Sequence, residues 1–221
     1  MVQAVFCDFY GTLVHEDGEV INTICQEIMR TGRAENTRQI AGYWWDVFQE
    51  ACRLSCGDAF QTQRQLEWAA LDQTIRAFHS SADCSALSQL LFEHWQSPPA
   101  FEDSGDFLAR CPVPVYIVSN IDRVDISAAI RHHNFSAAGV FTSEDAKSYK
   151  PRPELFRLAL AETGLAPGEV IHIGDSLSSD VGGAAPLGIS ALWLNRNSRP
   201  VPAGVRSISS LAEVPQILRV L

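Results

Sequence analysis

The chain has 221 residues, 46% of them hydrophobic, and a formal net charge of −9. This length allows one large domain or a core with an insertion, and it is enough to bury a substantial core. The acidic balance argues against a nucleic-acid-binding surface, and no apolar stretch approaches the roughly 20 residues that a membrane-spanning helix needs. The six cysteines are scattered and no export signal is visible, so we expect reduced thiols and a cytoplasmic protein.

The first predicted element is a short strand. Residues 4–7 form an apolar run that ends at a carboxylate, Asp8, and the turn residues Gly11 and Thr12 follow. A short apolar run bounded by turn residues predicts a strand buried on both faces, as in parallel sheets. A charge at the carboxyl end of such a strand lies where open α/β sheets bind their ligands. Asp8 alone could equally cap a turn, so its role depends on what the fold places beside it.

The next eighty residues carry helical patterns and no strand signal. Apolar residues recur at three- and four-residue spacing over residues 20–30, 39–54, 61–78 and 85–95. A block made only of helices, placed directly after the first strand, indicates an insertion rather than the next βα unit. We therefore predict a helical cap domain over residues 15–95 and a core formed by residues 1–14 and 96–221.

From residue 97 onward, predicted strands alternate with predicted helices. The strands cover residues 113–118, 139–142, 170–173 and 190–194, and a terminal helix is predicted over residues 211–221. Such alternation favours right-handed crossovers and one parallel sheet. The predicted fold class is α/β, a doubly wound parallel sheet with an inserted α-helical cap.

Polar residues follow four of the predicted strands or the loops beyond them. Taken singly, each has an ordinary structural explanation as a turn former, a surface residue or a helix N-cap. Together they should converge, because parallel strands present their carboxyl ends at one edge of the sheet. These residues are Asp8, Ser119 with Asn120, Lys150, and Asp175 with Asp180.

This combination of residues predicts a metal-assisted reaction on an anionic group. Asp8 and Asp175 would repel each other unless a cation lay between them, and an oxygen-only ligand set suits Mg²⁺. The cation, Lys150 and the Ser119 hydroxyl would all face an anion such as a phosphoryl group. Asp8 would then be free to act as a nucleophile and form a covalent intermediate that water later breaks.

In the segments that carry these polar residues, the sequence resembles the haloacid dehalogenase superfamily, a large group of hydrolases that use an aspartate nucleophile. The match runs through the predicted core in chain order, and the helical block corresponds to the cap that family members insert after the first motif. The resemblance implies a Rossmann-like core and a small-molecule substrate, and we expect a monomer or homodimer. The matching motifs are Asp8 with Gly11 and Thr12, then Ser119, then Lys150 with Pro151, then Gly174 and Asp175 with Asp180.

The resemblance also implies a role for each residue. Asp8 would be the nucleophile, and Mg²⁺ would be bound by its side chain, by the backbone carbonyl of Tyr10 and by Asp175. Asp180 would either assist the metal or orient Lys150. The residues implied to hold the transferring group or to contact substrate are Thr12, Ser119, Asn120 and Lys150.

The residue two positions after the nucleophile departs from the phosphatase pattern. Phosphatases of the family usually carry a second aspartate there as the general acid, and this chain has Tyr10, a phenol with an ordinary pKa near 10. Loss of a positioned acid typically costs about 10² to 10⁴ in rate. Tyr10 could instead pack beneath the cap. His15 is a candidate replacement for the acid, or else an exposed hinge residue.

The first motif also resembles the 2-haloacid dehalogenases of the family, in which halide leaves without a proton and no acid is needed. Those enzymes lack the metal and have replaced the Gly-Asp of the fourth motif, which is intact here as Gly174 and Asp175. They also place a cap arginine against the substrate, and the corresponding residues 41–46 contain none. The phosphonate-cleaving branch needs a cap lysine, and residues 15–95 contain no lysine.

The sequence therefore predicts Mg²⁺-dependent hydrolysis of a small phosphomonoester. A 2-haloacid dehalogenase is the alternative, and a binding protein on a degenerate hydrolase core is a third possibility because the acid is missing. Aromatic residues of the cap would line the site or form the core of the cap itself; they are Tyr43, Trp44, Trp45, Phe48, Phe60 and Trp68.

Overall fold

The computed structural model describes residues 1–220, and its centre is a parallel sheet. The strands are β1 (Ala4–Cys7), β2 (Val115–Ser119), β3 (Gly139–Thr142), β4 (Val170–Gly174), β5 (Ser190–Leu194) and β6 (Ser207–Ile208). Their order across the sheet is β3-β2-β1-β4-β5-β6, and every adjacent pair is parallel. The predicted α/β class with a doubly wound parallel sheet is confirmed.

Ten helices surround or extend this sheet in the described part of the chain. Four of them, here termed the helical block, lie between β1 and β2: α1 (Gly18–Thr31), α2 (Thr37–Leu54), α3 (Gln63–Ala77) and α4 (Cys84–Gln96). The others are α5 (Ser104–Arg110), α6 (Arg123–His133), α7 (Ser143–Ala146), α8 (Glu154–Thr163), α9 (Gly182–Ala184) and α10 (Val214–Leu218). Within residues 1–220, no helix combines the length and apolarity needed to cross a bilayer.

β1 is positioned at the point where the strand order reverses. It pairs with β2 on one side, Val5 opposite Val115, and with β4 on the other, Val5 opposite Ile171. All four residues of β1 are buried, which explains its unbroken apolar sequence. The crevice outside the carboxyl ends of β1 and β4 is the topological switch point, where open α/β sheets bind ligands.

The helical block packs on the sheet through a shared apolar core. Ile24 and Ile28 of α1, Trp44 of α2 and Leu91 of α4 belong to the same buried cluster as Val5 of β1. Burying each such side chain contributes about 1.5–3 kcal/mol. The four predicted helices are present within two residues of their predicted ends. The division of the chain into a core and a cap domain stays a prediction.

One prediction of secondary structure near the C-terminus is wrong. The strand over residues 190–194 is not the last one, because β6 pairs with β5 through Trp193 and Ser207. The predicted terminal helix is present as a turn at Leu211–Glu213 continued by α10, and residue 221 of its predicted range lies outside the described residues. A two-residue strand has no periodicity, so its pairing depends on tertiary contacts alone.

Candidate active site

Three carboxylates meet at the carboxyl ends of β1 and β4. Asp8 directly follows β1, Asp175 directly follows β4, and Asp180 lies in the helical turn Leu177–Val181. One carboxylate oxygen of each lies within 4.8 Å of the other two. Two glycines allow this approach, because a Cβ at Gly11 would lie 2.6 Å from the Asp175 carboxyl carbon and one at Gly174 would lie 2.2 Å from that of Asp180.

These carboxylates form the floor of a cavity of about 280 Å³. Ser119 and Lys150 belong to the same floor. The opposite wall comes from the helical block and includes Trp44, Trp45, Phe48, Glu67 and Trp95. The sheet edge therefore supplies the polar groups, and the helical block covers them with mainly aromatic side chains.

Lys150 links two of the carboxylates on the floor of the cavity. Its ammonium donates to Asp8 Oδ1 at 2.8 Å, to Asp180 Oδ1 at 2.7 Å and to the Val118 carbonyl at 2.9 Å. Burial by itself would lower the pKa of Lys150, but the charges of Asp180 and Asp8 outweigh it and raise that pKa. Lys150 is therefore charged at neutral pH, and all three of its donors are engaged.

Asp180 has a second partner that sequence reasoning missed. His172 of β4 is fully buried, and its Nε2 lies 2.9 Å from Asp180 Oδ1, while the backbone N–H of Ser176 donates to Oδ2 at 3.0 Å. Burial alone would raise the pKa of Asp180, but Lys150 and His172 lower it. Asp180 is held as an anion in contact with Lys150, and the choice between its two predicted roles stays a prediction. His172 sits in an apolar strand, where no sequence pattern singles it out.

The acids Asp175 and Asp8 lie together in a site where ionisation is costly. Burial, together with the charges of Asp8 and Asp180, raises the pKa of Asp175 to about 8. The pKa of Asp8 is also raised, by burial first and by Asp180, with Lys150 acting in the opposite direction. Three carboxyl groups, two of them buried and Asp175 half-buried, lie beside a single ammonium and form an oxygen-only cluster. Such a cluster fits a hard divalent cation.

The other predicted floor residues have different positions. The Asn120 amide holds the backbone of Lys150, donating to its carbonyl at 3.0 Å and accepting from its N–H at 2.7 Å. Thr12 is fully buried, its Oγ1 has no partner among residues 1–220, and it does not line the cavity. Ser119, at the end of β2, does line the cavity. Direct contacts of Thr12 and Asn120 with substrate stay predictions.

Tyr10 joins the sheet edge to the helical block. Its hydroxyl donates to the backbone carbonyl of Trp95, and the Trp95 indole donates to Asp17 Oδ2 at 3.1 Å. Burial, followed by the charges of Asp125 and Asp17, raises the pKa of Tyr10 above its ordinary value. Tyr10 therefore packs beneath the helical block and is a weak proton donor. Its carbonyl as a metal ligand stays a prediction.

His15 does not replace the missing acid in this geometry. Its ring packs against that of Phe101, tilted by 32° with a centroid distance of 3.9 Å, and it is not among the residues that line the cavity. Three acids that sequence reasoning passed over do line it, Glu16, Asp17 and Glu67. For Glu67 a signal existed, because it lies four residues before Leu71 on the buried face of α3.

Comparison with known proteins identifies the class to which this fold and site belong. The family model described as haloacid dehalogenase-like hydrolase matches residues 2–188. The chain therefore belongs to the haloacid dehalogenase-like hydrolases, and it is a hydrolase.

The individual relatives include both phosphatases and haloacid dehalogenases. A phosphoserine phosphatase from Thermus thermophilus is 32% identical over 121 residues, so the match spans 52% of this chain and about half, 48%, of that relative. The (S)-2-haloacid dehalogenase 1 from a Pseudomonas species is 26% identical, and the match covers 98% of this chain and 96% of that relative. The structure of L-2-haloacid dehalogenase from Xanthobacter autotrophicus superposes with a TM-score of 0.78 at 20% identity, with 99% of each chain covered. That likeness shows the shared fold.

Proposed function

We propose that this hydrolase is a Mg²⁺-dependent phosphatase of small phosphomonoesters. The observation that carries the proposal is the cluster of Asp8, Asp175 and Asp180, whose carboxylate oxygens lie within 4.8 Å of one another. Carboxylates so close together are stable as anions only beside a cation, and oxygen ligands suit Mg²⁺. Asp8, Asp175 and the Tyr10 carbonyl would hold the ion, which when bound would offset negative charge on the phosphoryl oxygens.

Each side chain on the floor of the cavity has a separate role in the proposed reaction. Lys150 fixes the orientation of Asp8 through Oδ1. A carboxylate oxygen of Asp8 attacks phosphorus while the bond from phosphorus to the leaving oxygen breaks, and the leaving oxygen takes up a proton from solvent water. Water then attacks the phosphorus of the aspartyl phosphate, which releases inorganic phosphate and restores Asp8. Ser119, in the cavity floor, donates to a phosphoryl oxygen.

The cavity is poorly suited to the alternative substrate, a 2-haloacid. Such a substrate carries a permanent carboxylate, which requires a cationic partner. Among the described residues that line the cavity, Lys150 is the only cation, and its donors are already engaged. The rest of the cavity adds the acids Glu16, Asp17 and Glu67. This charge distribution supports phosphate ester hydrolysis with a bound cation over dehalogenation.

A paired assay tests the proposal. Purified protein is given p-nitrophenyl phosphate, a panel of phosphorylated metabolites and 2-chloropropionate, each with Mg²⁺ and with EDTA. We expect phosphate release that requires Mg²⁺ and falls at least about 10³-fold in Asp8→Asn, because the nucleophile is removed. Asp106→Asn is the control, since that side chain is 73% exposed.

Three outcomes would contradict the proposal. Halide release that EDTA does not affect would establish the dehalogenase. Phosphatase activity that survives Asp8→Asn would remove the nucleophile assignment. Ligand binding without turnover of either substrate class would favour a binding protein.

A further inference from the structure

One face of α2 forms an apolar side of the cavity. Five of its residues line the cavity, and their spacing of three or four positions places them along one face of the helix. They are Ala41, Trp44, Trp45, Phe48 and Cys52. Trp44 is buried, whereas Trp45 is 57% exposed. This face therefore offers a ligand an aromatic surface that the fold itself leaves uncovered.

Trp45 and Phe48 form the accessible part of this face. Their ring centroids are 6.3 Å apart and the ring planes are tilted by 34°, and Phe48 is itself only half-buried. Aromatic rings pack against one another with centroids 4.5–7 Å apart and gain more than the burial of their area alone provides. An aromatic ligand can use both contributions here, whereas an aliphatic ligand gains only from the buried area.

The polar groups beside these rings are already paired with one another. The Trp44 indole N–H is hydrogen-bonded to the Glu67 carboxyl, and the Trp95 indole N–H donates to Asp17 Oδ2 at 3.1 Å. Burial, then the charge of Asp17, raises the pKa of Glu67 to about 8, so this carboxyl is largely protonated at pH 7. Among the described residues that line the cavity, Lys150 is the only cation, and its donors are engaged. The part of a ligand that lies against the rings is therefore uncharged.

The chemistry at Tyr10 restricts the leaving group independently. Its hydroxyl donates to the Trp95 carbonyl, so the position two residues after Asp8 supplies no acid to the leaving oxygen. A phenol has a pKa near 10, whereas water, which an aliphatic alcohol resembles, has a pKa of about 15.7. A phenolate can therefore depart without a positioned acid, and an alkoxide cannot do so readily.

The aromatic face and the missing acid indicate the same class of substrate. We propose that the substrate is the phosphate monoester of an uncharged phenol, whose ring packs against Trp45 and Phe48 while its phosphoryl group lies on the floor of the cavity. The volume of about 280 Å³ limits the leaving group to a small ring system, since sites for drug-sized ligands measure roughly 300–1,000 Å³. This inference rests on the proposed function, because the phosphoryl end fixes the position of the ring.

The contact with the ring is tested with phosphonates, which bind without being hydrolysed. Calorimetry in the presence of Mg²⁺ compares benzylphosphonate with methylphosphonate, cyclohexylmethylphosphonate and 4-carboxybenzylphosphonate. We expect benzylphosphonate to bind about tenfold or more tightly than methylphosphonate, because it buries a ring. It should bind about two- to tenfold more tightly than the cyclohexyl analogue, which has a similar size but no aromatic ring. The added carboxylate should weaken binding.

The leaving group is tested by turnover. Phenyl phosphate and cyclohexyl phosphate are similar in size and differ in the pKa of the leaving oxygen. We expect kcat/KM to be about 10²-fold or more higher for phenyl phosphate, because cyclohexanol needs a proton as it departs. Steady-state kinetics with saturating Mg²⁺ measure the ratio.

Variants separate the aromatic face from the floor. Trp45→Ala and Phe48→Ala should each reduce the preference for benzylphosphonate over methylphosphonate several-fold, and Trp45→Phe should retain most of it. Trp45→Ala should raise KM for phenyl phosphate more than it lowers kcat, because the ring contact is present before and during the reaction. Leu54→Ala is the matched control, since Leu54 is 59% exposed on the same helix and is not among the residues that line the cavity.

The two proposals fail in different ways. Equal affinity for benzylphosphonate and its cyclohexyl analogue, or faster turnover of cyclohexyl phosphate than of phenyl phosphate, overturns the phenolic substrate and leaves the phosphatase intact. Tighter binding of 4-carboxybenzylphosphonate also overturns it, in favour of an anionic leaving group. An unchanged preference in both Trp45→Ala and Phe48→Ala overturns the assignment of the aromatic face. No phosphonate binding together with no phosphatase activity overturns the proposed function, and the phenolic substrate with it.

Discussion

At the scale of single residues, Tyr10 decides how this site supplies protons. Its hydroxyl is committed to the Trp95 carbonyl, and burial raises its pKa. Tyr10, two residues after Asp8, therefore links the sheet edge to the helical block through this hydrogen bond and does not supply an acid. Leaving groups that depart without a proton should be the ones handled fastest.

Tyr10→Asp should install the missing acid. We expect the turnover of alkyl phosphates, whose leaving groups need a proton, to rise on the order of 10²-fold, with little change for p-nitrophenyl phosphate. Steady-state kinetics on both substrates measure the difference. Tyr10→Phe is the control and should change neither rate by more than a few fold. A drop of about 10²-fold in Tyr10→Phe would instead make Tyr10 the acid.

At the scale of elements, the beginning of α3 is held by the loop before α6. The buried carboxylate of Asp122 accepts the backbone N–H groups of Gln63 at 2.8 Å and Arg64 at 2.9 Å. The Arg64 side chain also pairs with Asp125 of α6. Because α3 carries Glu67, these contacts position one wall of the cavity relative to the sheet edge.

Asp122→Ala should loosen this attachment. Two backbone donors lose their acceptor, so we expect the free energy of unfolding to fall by about 1–2 kcal/mol. Urea unfolding measures the change, and Asp106→Ala, at an exposed carboxylate in α5, is the matched control. Equal stabilities of the two variants would show that the attachment contributes nothing.

At the scale of the whole molecule, one buried acid should make stability depend on pH. Burial, then the charge of Asp17, raises the pKa of Glu67 to about 8, with Trp44 acting in the opposite direction. Glu67 also lies near the half-buried thiol of Cys52, whose pKa burial and Glu67 raise to about 12. The folded protein thus holds the Glu67 proton more tightly than the unfolded chain, where the pKa is near 4.3. This contribution to stability is complete below pH 4 and is lost as the pH rises to 8.

Glu67→Gln removes this titration. Between pH 5 and pH 8.5 the stability of the variant relative to the wild type should increase by on the order of 3 kcal/mol. Urea unfolding at a series of pH values, without Mg²⁺ or phosphate, measures it. The slope with pH is the readout, so any constant effect of the substitution on packing cancels. A difference that does not change with pH would show that Glu67 is ionised in the folded protein.

The sequence by itself determined the α/β class, the helical block and the residues that meet at the sheet edge. Apolar periodicity is a local property of the sequence, so it can be recognised before any tertiary contact is known. Parallel strands bring Asp8, Ser119 and Asp175 to one edge of the sheet. The motif resemblance added a role for each of these residues, Lys150 and Asp180 among them.

Only the tertiary structure decided what each of these groups touches. Whether Tyr10 faces substrate or the Trp95 carbonyl depends on how the helical block lies over the sheet, and no local pattern encodes that. The same holds for His172 beside Asp180, for the two-residue strand β6, and for Glu67 in the cavity wall. Such contacts join residues far apart in the chain, and their energies depend on burial and charge that exist only once both partners are packed.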